Sequence, residues 1–497
     1  MHNYIRLCRD ARPGFHRGAA LAAALLGVGL LIAVGCRTDW EAVRRSAAES
    51  YRGDLQQATQ ALLDRCPAGL ALTQCVALAR ERNTQVLAGQ LAERLAQLDR
   101  NAAFSAFLPQ VQLNYDTLSL SDPPAVKFDN MEISMQDQSL RRSSVQILQP
   151  LFAPSAWLLY RSAARGAEIA GLARVRAEQM VELATVTLFY QCLAQQEEVE
   201  RLDQEAAAAR QWFRDAEAFS AAGYATTSDV SRARALHLER ERQCAGARRD
   251  SRQAQARLLQ AMDLWPLAEM TLQRESPPDA ADLRCTVRTP GLEPHELTFD
   301  ELLHGPVEDW MFHAMLSRAE MQSQDRSIAL RRNEVIRALT LFLPSLMGFA
   351  NYYTTSDSYT VNQQYWGTGL QASLSAFVGF RDVNAYLQAR QAVKAAYVAR
   401  EETALMVLLQ VIEAHKTLRD AQDNLEVAEA AADAAERTLA DLDSQYHSGL
   451  VELSRLLDAQ ATCSGAVARR RSAGFARAVA LHAFQNVVGG NLEVSLP

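Results

Sequence analysis

After Pro109 the chain alternates. Val111, Leu113 and Tyr115 fall on one side, and Gln110, Gln112, Asn114 and Asp116 on the other. A return segment sets Val145 and Ile147 against Ser144 and Gln146. Further on, Trp366, Leu370, Ala372 and Leu374 oppose Gln371, Ser373 and Ser375. Alternation of apolar with uncharged polar residues predicts strands lying between two different media. Residues 346–352, ahead of the last of these strands, alternate poorly. A soluble sheet over a core would produce this pattern. So would transmembrane barrel strands, apolar toward lipid and polar toward a wet lumen. Four strands cannot close a barrel, and an open edge in lipid leaves backbone groups unpaired. If these strands span a membrane, the chain must oligomerise.

Elsewhere the period is helical. Residues 156–222 form a block of 67 residues without a breaker, on the order of 100 Å if continuous. Leu408, Val411, His415, Leu418, Gln422, Leu425, Ala428, Ala432, Ala435, Leu439 and Leu442 step by threes and fours. This is a coiled-coil seam in which alanine lets helices approach closely. His415 and Gln422 are polar intrusions. They fit a register-setting or lumen-edge role better than ligation, because no second His lies one turn away. Proline is absent between Pro154 and Pro266 and between Pro344 and Pro497. Gly223 and Gly449 interrupt the helices and precede Thr226-Thr227-Ser228-Asp229 and Glu452-Leu453-Ser454. Glycine followed by hydroxyl or acidic caps predicts a chain reversal into a new helix.

These segments recur. Phe107-Leu108-Pro109 returns as Phe342-Leu343-Pro344, 235 residues later, and Gly223 returns as Gly449, 226 residues later. Leu72-Thr73 opens the first helical pattern and Leu297-Thr298 the second. So long a period means domain duplication rather than a solenoid. The layout expected is a signal at 1–35, an N-terminal segment at 36–70, a first repeat at 71–265 with its strand pair in 110–152, a linker at 266–296, a second repeat at 297–490 with its strand pair in 345–377, and a tail at 491–497.

The amino terminus carries an address. Arg6, Arg9, Arg12 and Arg17 precede an apolar run from Ala19 to Val34 that ends at Gly35-Cys36. A basic region, a short apolar run and small residues at the exit describe a secretory signal. Ala33-Val34-Gly35-Cys36 also resembles the bacterial lipobox, with Cys36 the acylated residue, although Leu is usual where Ala33 sits; ordinary cleavage nearby is the other reading. Arg37, in place of the aspartate that retains lipoproteins at the inner membrane, favours transfer outward. The cysteines left after cleavage (66, 75, 192, 244, 285 and 463) show no metal or redox spacing. Cys66 and Cys75 are near enough in sequence to pair.

Composition excludes several classes. The 497 residues are 48% hydrophobic and 22% charged, and no stretch after the first forty residues is long and apolar enough for a spanning helix. A helical transporter is therefore excluded. A formal charge of −7 speaks against nucleic-acid affinity. The nine histidines are scattered, and there is no zinc-protease motif, phosphate-binding glycine loop or serine elbow, so neither an enzyme nor a cofactor is expected.

The order of Leu-Thr, Phe-Leu-Pro, strands, Leu151-Phe152 or Phe377-Val378-Gly379-Phe380, and glycine tips resembles the TolC-like outer membrane factors, from about Leu72 to Gly490. Cys36 places the chain with their lipoprotein branch. The resemblance implies a mainly α fold with a small β part: duplicated long helical hairpins forming a periplasmic α-barrel, and four antiparallel strands per protomer in a twelve-stranded transmembrane barrel. It implies a homotrimer in a Gram-negative outer membrane, serving as a passive conduit for a tripartite efflux or type I secretion system. Its tips, at Gly223, Tyr224, Val230, Gly449, Leu450 and Leu456, would meet a periplasmic adaptor protein and, through it, an inner-membrane pump. Those apolar tip residues could equally complete the hairpin's own core. Where family members ring the pore with an aspartate pair after the second glycine, this chain has Arg455 and Asp458, and the first half has Asp229 and Arg232 in opposite order. A spacing of three puts each pair on one helix face, and Arg–Asp contacts between neighbouring hairpins are expected to latch the pore. A lipid-anchored coiled-coil scaffold without a barrel is the alternative.

Overall fold

The computed structural model describes residues 40–67, 69–128, 131–224, 226–273, 284–287, 295–448, 450–451, 453–489 and 492–495. The signal segment, Cys36 and Gly449 lie outside them. The chain divides into two compact units, residues 1–61 and 62–497. Helix α1 (Trp40–Arg65) supplies the first; it buries Leu55 and exposes Trp40, Val43 and Tyr51.

In the second unit α2 (Leu72–Arg82) and α3 (Thr84–Phe104) lead to strands β1 (Gln110–Ser119), β2 (Ala125–Phe128), β3 (Met131–Ser134) and β4 (Ser139–Phe152). Helices α4 (Pro154–Ala221) and α5 (Thr227–Ala261) complete the first half. Then come β5 (Arg284–Val287), β6 (His295–Thr298) and α6 (Phe299–His304). The second half runs α7 (Val307–Ser317), α8 (Ala319–Thr340), β7 (Ser345–Thr355), β8 (Gln364–Ser373), α9 (Arg381–His447) and α10 (Leu453–Val488), followed by β9 (Leu492–Ser495).

Element lengths record the duplication. Helices α2 and α7 each have 11 residues, α3 and α8 have 21 and 22, α4 and α9 have 68 and 67, and α5 and α10 have 35 and 36. This corrects one correspondence. Leu297-Thr298 is not the counterpart of Leu72-Thr73; Val307 is, at the same spacing as the Phe-Leu-Pro pair. Thr298 instead caps the six-residue α6, its hydroxyl accepting from the Glu301 amide at 3.3 Å while the Glu301 carboxylate accepts from the Thr298 amide at 2.8 Å. The stretch expected to be a linker and tail is also more ordered than a connector: β5 pairs with β6 on one side and with the C-terminal β9 on the other.

Helix α4 opens with Pro154 in its first turn, where a missing N–H costs nothing. It packs on α3, α5, α8 and α10, and α10 packs on α9. The four long helices therefore lie side by side in the order α5, α4, α10, α9. The expected seam along α9 faces α10 and α7: Val411, His415, Leu418, Leu425 and Ala432 are buried, and Leu408, Gln422, Ala428, Ala435, Leu439 and Leu442 half-buried. One apolar cluster joins α6 to α10 through Phe299, Leu302, Trp310, Met321, Val411 and Phe484. Trp310 meets Phe484 edge-on, with ring centres 5.4 Å apart.

The halves are also tied by charge. Buried Arg318 donates to Glu320 (2.9 Å) and Gln410 (2.7 Å), and Arg176 of α4 reaches the same Glu320 at 2.6 Å. Two guanidinium groups thus share one half-buried carboxylate. Burial pushes the Arg176 guanidinium below its ordinary range, and Arg318 adds to that. Such a cluster costs heavily if one member is removed.

Candidate functional site: the sheet and the hairpin tips

The central sheet has the order β1–β4–β7–β8, every neighbour antiparallel. Directly opposed residues share a face, so the register sorts the alternation. One row runs Leu113–Val145–Tyr352–Trp366, and the next Val111–Ile147–Ala350–Thr368. The opposite face carries Gln112–Gln146–Asn351–Gly367 and Asn114–Ser144–Tyr353–Tyr365. The apolar residues singled out by alternation within the strands thus occupy one face, and Leu374 falls just past the end of β8. Strand β7, which alternates poorly, is an inner strand: Tyr352 packs on Trp366 (ring centres 4.9 Å apart) on the apolar face, and Tyr353 stacks on Tyr365 (5.6 Å) on the other. Aromatic stacking within the sheet replaces the polar positions expected there.

A glycine serves this packing. A Cβ on Gly369 would lie 2.7 Å from Phe349 Cζ, so the ring of Phe349 lies over a residue that must have no side chain. Leu113, Tyr115, Trp366 and Leu370 are all more than 65% exposed, an apolar surface that this chain does not cover. The outer edges of β1 and β8 are both free of partners within the sheet.

At the first tip Gly223 sits at φ +83°, in the left-handed region that favours glycine. The Tyr224 amide donates back to the Phe219 carbonyl at 2.8 Å, closing the helix end. At the second tip Leu450 donates to the Gln445 carbonyl at 2.9 Å, the same closure. Tyr224 is 85% exposed and Leu450 77%, whereas Val230 and Leu456 are half-buried. The tip residues therefore divide between display and hairpin core.

Asp229 has a local employment that spacing alone did not assign. The Thr226 hydroxyl accepts from the Asp229 amide at 3.2 Å, and the Asp229 carboxylate accepts from the Thr226 hydroxyl and amide at 2.7 and 3.1 Å. This capping box opens α5. The Thr226 hydroxyl, its amide and then Arg232 hold the Asp229 carboxyl below its ordinary value. Arg232, Arg455 and Asp458 are exposed, and no ion pair among the described residues joins the two tips.

His415 is buried against Phe484, ring centres 5.8 Å apart, with the backbone of Leu302 and Leu303 beside its ring. It is a core residue. Cys66 and Cys75 are not joined in a disulfide, and neither Cys192, Cys244 nor Cys463 forms one. Among the described residues no group of side chains could hold a metal ion, and no helix is long and apolar enough to cross a membrane.

The profile of the outer membrane efflux protein family matches residues 75–263 and 312–490, one stretch in each half. The chain belongs to the outer membrane efflux protein family. Solved structures share its fold. The outer membrane channel CmeC of Campylobacter jejuni is similar with a TM-score of 0.67 at 15% identity, covering 85% of this chain and 86% of that one. The outer membrane protein VceC of Vibrio cholerae gives 0.63 at 15%, covering 84% and 96%. The open-state MtrE channel of Neisseria gonorrhoeae gives 0.61 at 15%, covering 84% and 89%. No curated protein matches the sequence. In this efflux family member the TolC-like architecture is thus reached at low identity, carried by element order and length. Helix α1 precedes the first family segment.

Proposed function

We propose that this chain is a trimeric outer-membrane channel, the passive exit duct of a tripartite efflux or type I secretion system. The observation that carries the reading is the sheet: four antiparallel strands, one exposed apolar face and two free edges. Four is an even number, so β8 of one copy and β1 of the next run in opposite directions and can pair. Three copies then give twelve strands with no edge left in lipid. A coiled-coil scaffold without a barrel would leave Leu113, Trp366 and Leu370 in water.

In this reading residues 1–35 are removed, Cys36 is acylated in the outer membrane, and the helices extend into the periplasm. Tyr224 and Leu450, beside Gly223 and Gly449, meet the hairpin of a periplasmic adaptor, with Val230 and Leu456 supporting them from within. The adaptor links the duct to an inner-membrane pump. The division into two repeats, one opening at Leu72 and the other at Val307, follows from the same duplication.

The test is direct. Membranes from cells expressing the full chain should yield trimers that survive SDS without boiling, and purified protein should conduct in planar bilayers. A monomer that partitions into buffer once the anchor is removed would overturn the channel in favour of the scaffold.

The latch at the tips is part of the proposal. Because Asp229 caps its own helix, the exchange that isolates the latch is Arg232→Asp with Asp458→Arg. Each single substitution should raise leak conductance without the pump, and the pair should restore closure. Equal leak in all three would exclude a latch made by these charges.

A further inference from the structure

The side-by-side order α5, α4, α10, α9 leaves α5 and α9 as the two outer edges of the helical layer. Each edge is charged, with opposite sign. Helix α5 carries eight arginines against four acids. Residues 420–443 of α9 carry eight acids against Arg437 alone. Among the described residues Arg249, Arg252 and Arg257 of α5, and Asp423 and Asp441 of α9, make no ion pair and are exposed. Arg249 and Arg252 border the groove between α4 and α5, together with Arg210, Arg248, Asp203 and Glu241.

The heights also agree. Arg240 of α5 and Ser464 of α10 line the same cleft. Across α10, Arg470 faces Asp433 and Glu436 of α9 at 3.8 and 3.5 Å. Helices α9 and α10 form an antiparallel hairpin, so residues can be counted from one to the other at about 1.5 Å each. The count brings Arg242, Arg249 and Arg257 to within about a helical turn of Asp441, Asp433 and Asp423 in that order. A cyclic assembly is related by pure rotation, which preserves height, and its interface is heterologous. One edge of each copy must then meet the opposite edge of the next.

We infer that the helical seam between copies is electrostatic, with the arginine edge of α5 docking on the acidic edge of α9 of a second copy of this chain. This rests on the trimeric channel reading and deepens it. The strands close the ring in lipid, where charge is excluded. The seam closes it in water, where opposite charges steer the edges together and like edges repel. An interface held this way weakens in salt, and α5 cannot pair with α5.

The experiment uses the full chain in membranes. Arg249→Cys combined with Asp433→Cys places thiols on helices separated by α4 and α10, roughly three interaxial spacings of 8–10 Å, so within one chain they cannot bridge. Oxidation should give SDS-resistant dimers and trimers that reducing agent collapses, and neither single variant should do so. As a second readout, Arg257→Glu should lower the temperature at which the trimer dissociates and remove part of its salt dependence; adding Asp423→Arg, at a residue without an ion pair among the described residues, should restore both. Trimers without the crosslink and without charge rescue would overturn the seam while leaving the channel standing. Monomers throughout would overturn both. A crosslink appearing only between this chain and a co-expressed adaptor would give the edge to another occupant and overturn the seam as stated.

Discussion

Asp137 and Asp357 hold each other's loops. The Asp137 amide donates to Asp357 Oδ1 at 3.1 Å, and the Asp137 carboxylate accepts from the Ser358 amide and hydroxyl at 2.6 and 2.8 Å. Asp357, which is buried, also accepts from the Tyr359 amide at 3.3 Å. The two residues lie 220 positions apart, in the loop before β4 and the loop between β7 and β8. Arg141 and Ser356 add a second tie, the Ser356 amide donating to the Arg141 carbonyl at 2.9 Å. The clasp joins the two halves at one end of the sheet.

Cutting the clasp should free both loops together. Asp357→Ala removes acceptors from a buried position, a local loss of about 1–3 kcal/mol. Amide exchange at Asp137, Ser358 and Tyr359 should accelerate in concert, with the sheet still protected. Acceleration confined to residues 357–360 would show that Asp357 organises only its own turn.

Gly369→Ala should strain the sheet. Its new methyl meets the ring of Phe349 at a distance that carbon atoms do not adopt, and overpacking of this kind costs about 1–3 kcal/mol. The heat-resistant oligomer should dissociate at lower temperature. Phe349→Leu in the same chain should recover most of the loss. If Gly369→Ala is neutral, the Phe349 ring is free to swing away.

The capping box at the first tip predicts a pH effect. The Asp229 carboxyl is held below its ordinary value, chiefly by the Thr226 hydroxyl. A depressed carboxyl stabilises the fold above its unfolded value, near 3.8, and that contribution fades as pH falls through the lower folded value. Thr226→Ala should fray the first turn of α5 at neutral pH, seen as faster exchange of the Asp229 and Val230 amides, and should leave little further fraying on acidification. Gly223→Ala, at a positive φ, should cost about 1–2 kcal/mol and loosen the same turn without this pH dependence.

Three histidines work in the opposite chemical sense. Burial holds His313, His415 and His482 below their ordinary value. The unfolded chain then binds protons that the folded chain refuses, so stability drops as pH falls below about 6.5 and levels off only beneath the folded values. Each neutral buried histidine contributes a slope of up to about 1.4 kcal/mol per pH unit in that window. Thermal melts between pH 7.5 and 5.5 should show the decline, and His415→Leu should flatten it. An unchanged slope would mean that His415 takes up its proton in place.

Some of this protein is written locally. Alternation at Val111, Leu113 and Tyr115, threes and fours along α9, glycines before hydroxyl caps, and the 235-residue recurrence of Phe-Leu-Pro each depend on near neighbours or on spacing. Backbone period and turn chemistry are local physics, so sequence alone determined the strands, the long helices, the reversals and the duplication. The family resemblance rested on their order. Position along the chain could not show that Thr298 caps an extra short helix, because that sequence opens any helix equally well. Nor could it show that the stretch read as a linker pairs with the C-terminal tail in one sheet. Residues that meet across more than a hundred positions (Asp137 with Asp357, Arg176 with Glu320) are chosen by packing of whole elements, not by neighbours. The same holds for Phe349 over Gly369, where strand register decides which side chain must be missing. Tertiary structure alone set the helical order that leaves an arginine edge and an acidic edge bare, since which faces remain open is decided only when all the others have closed.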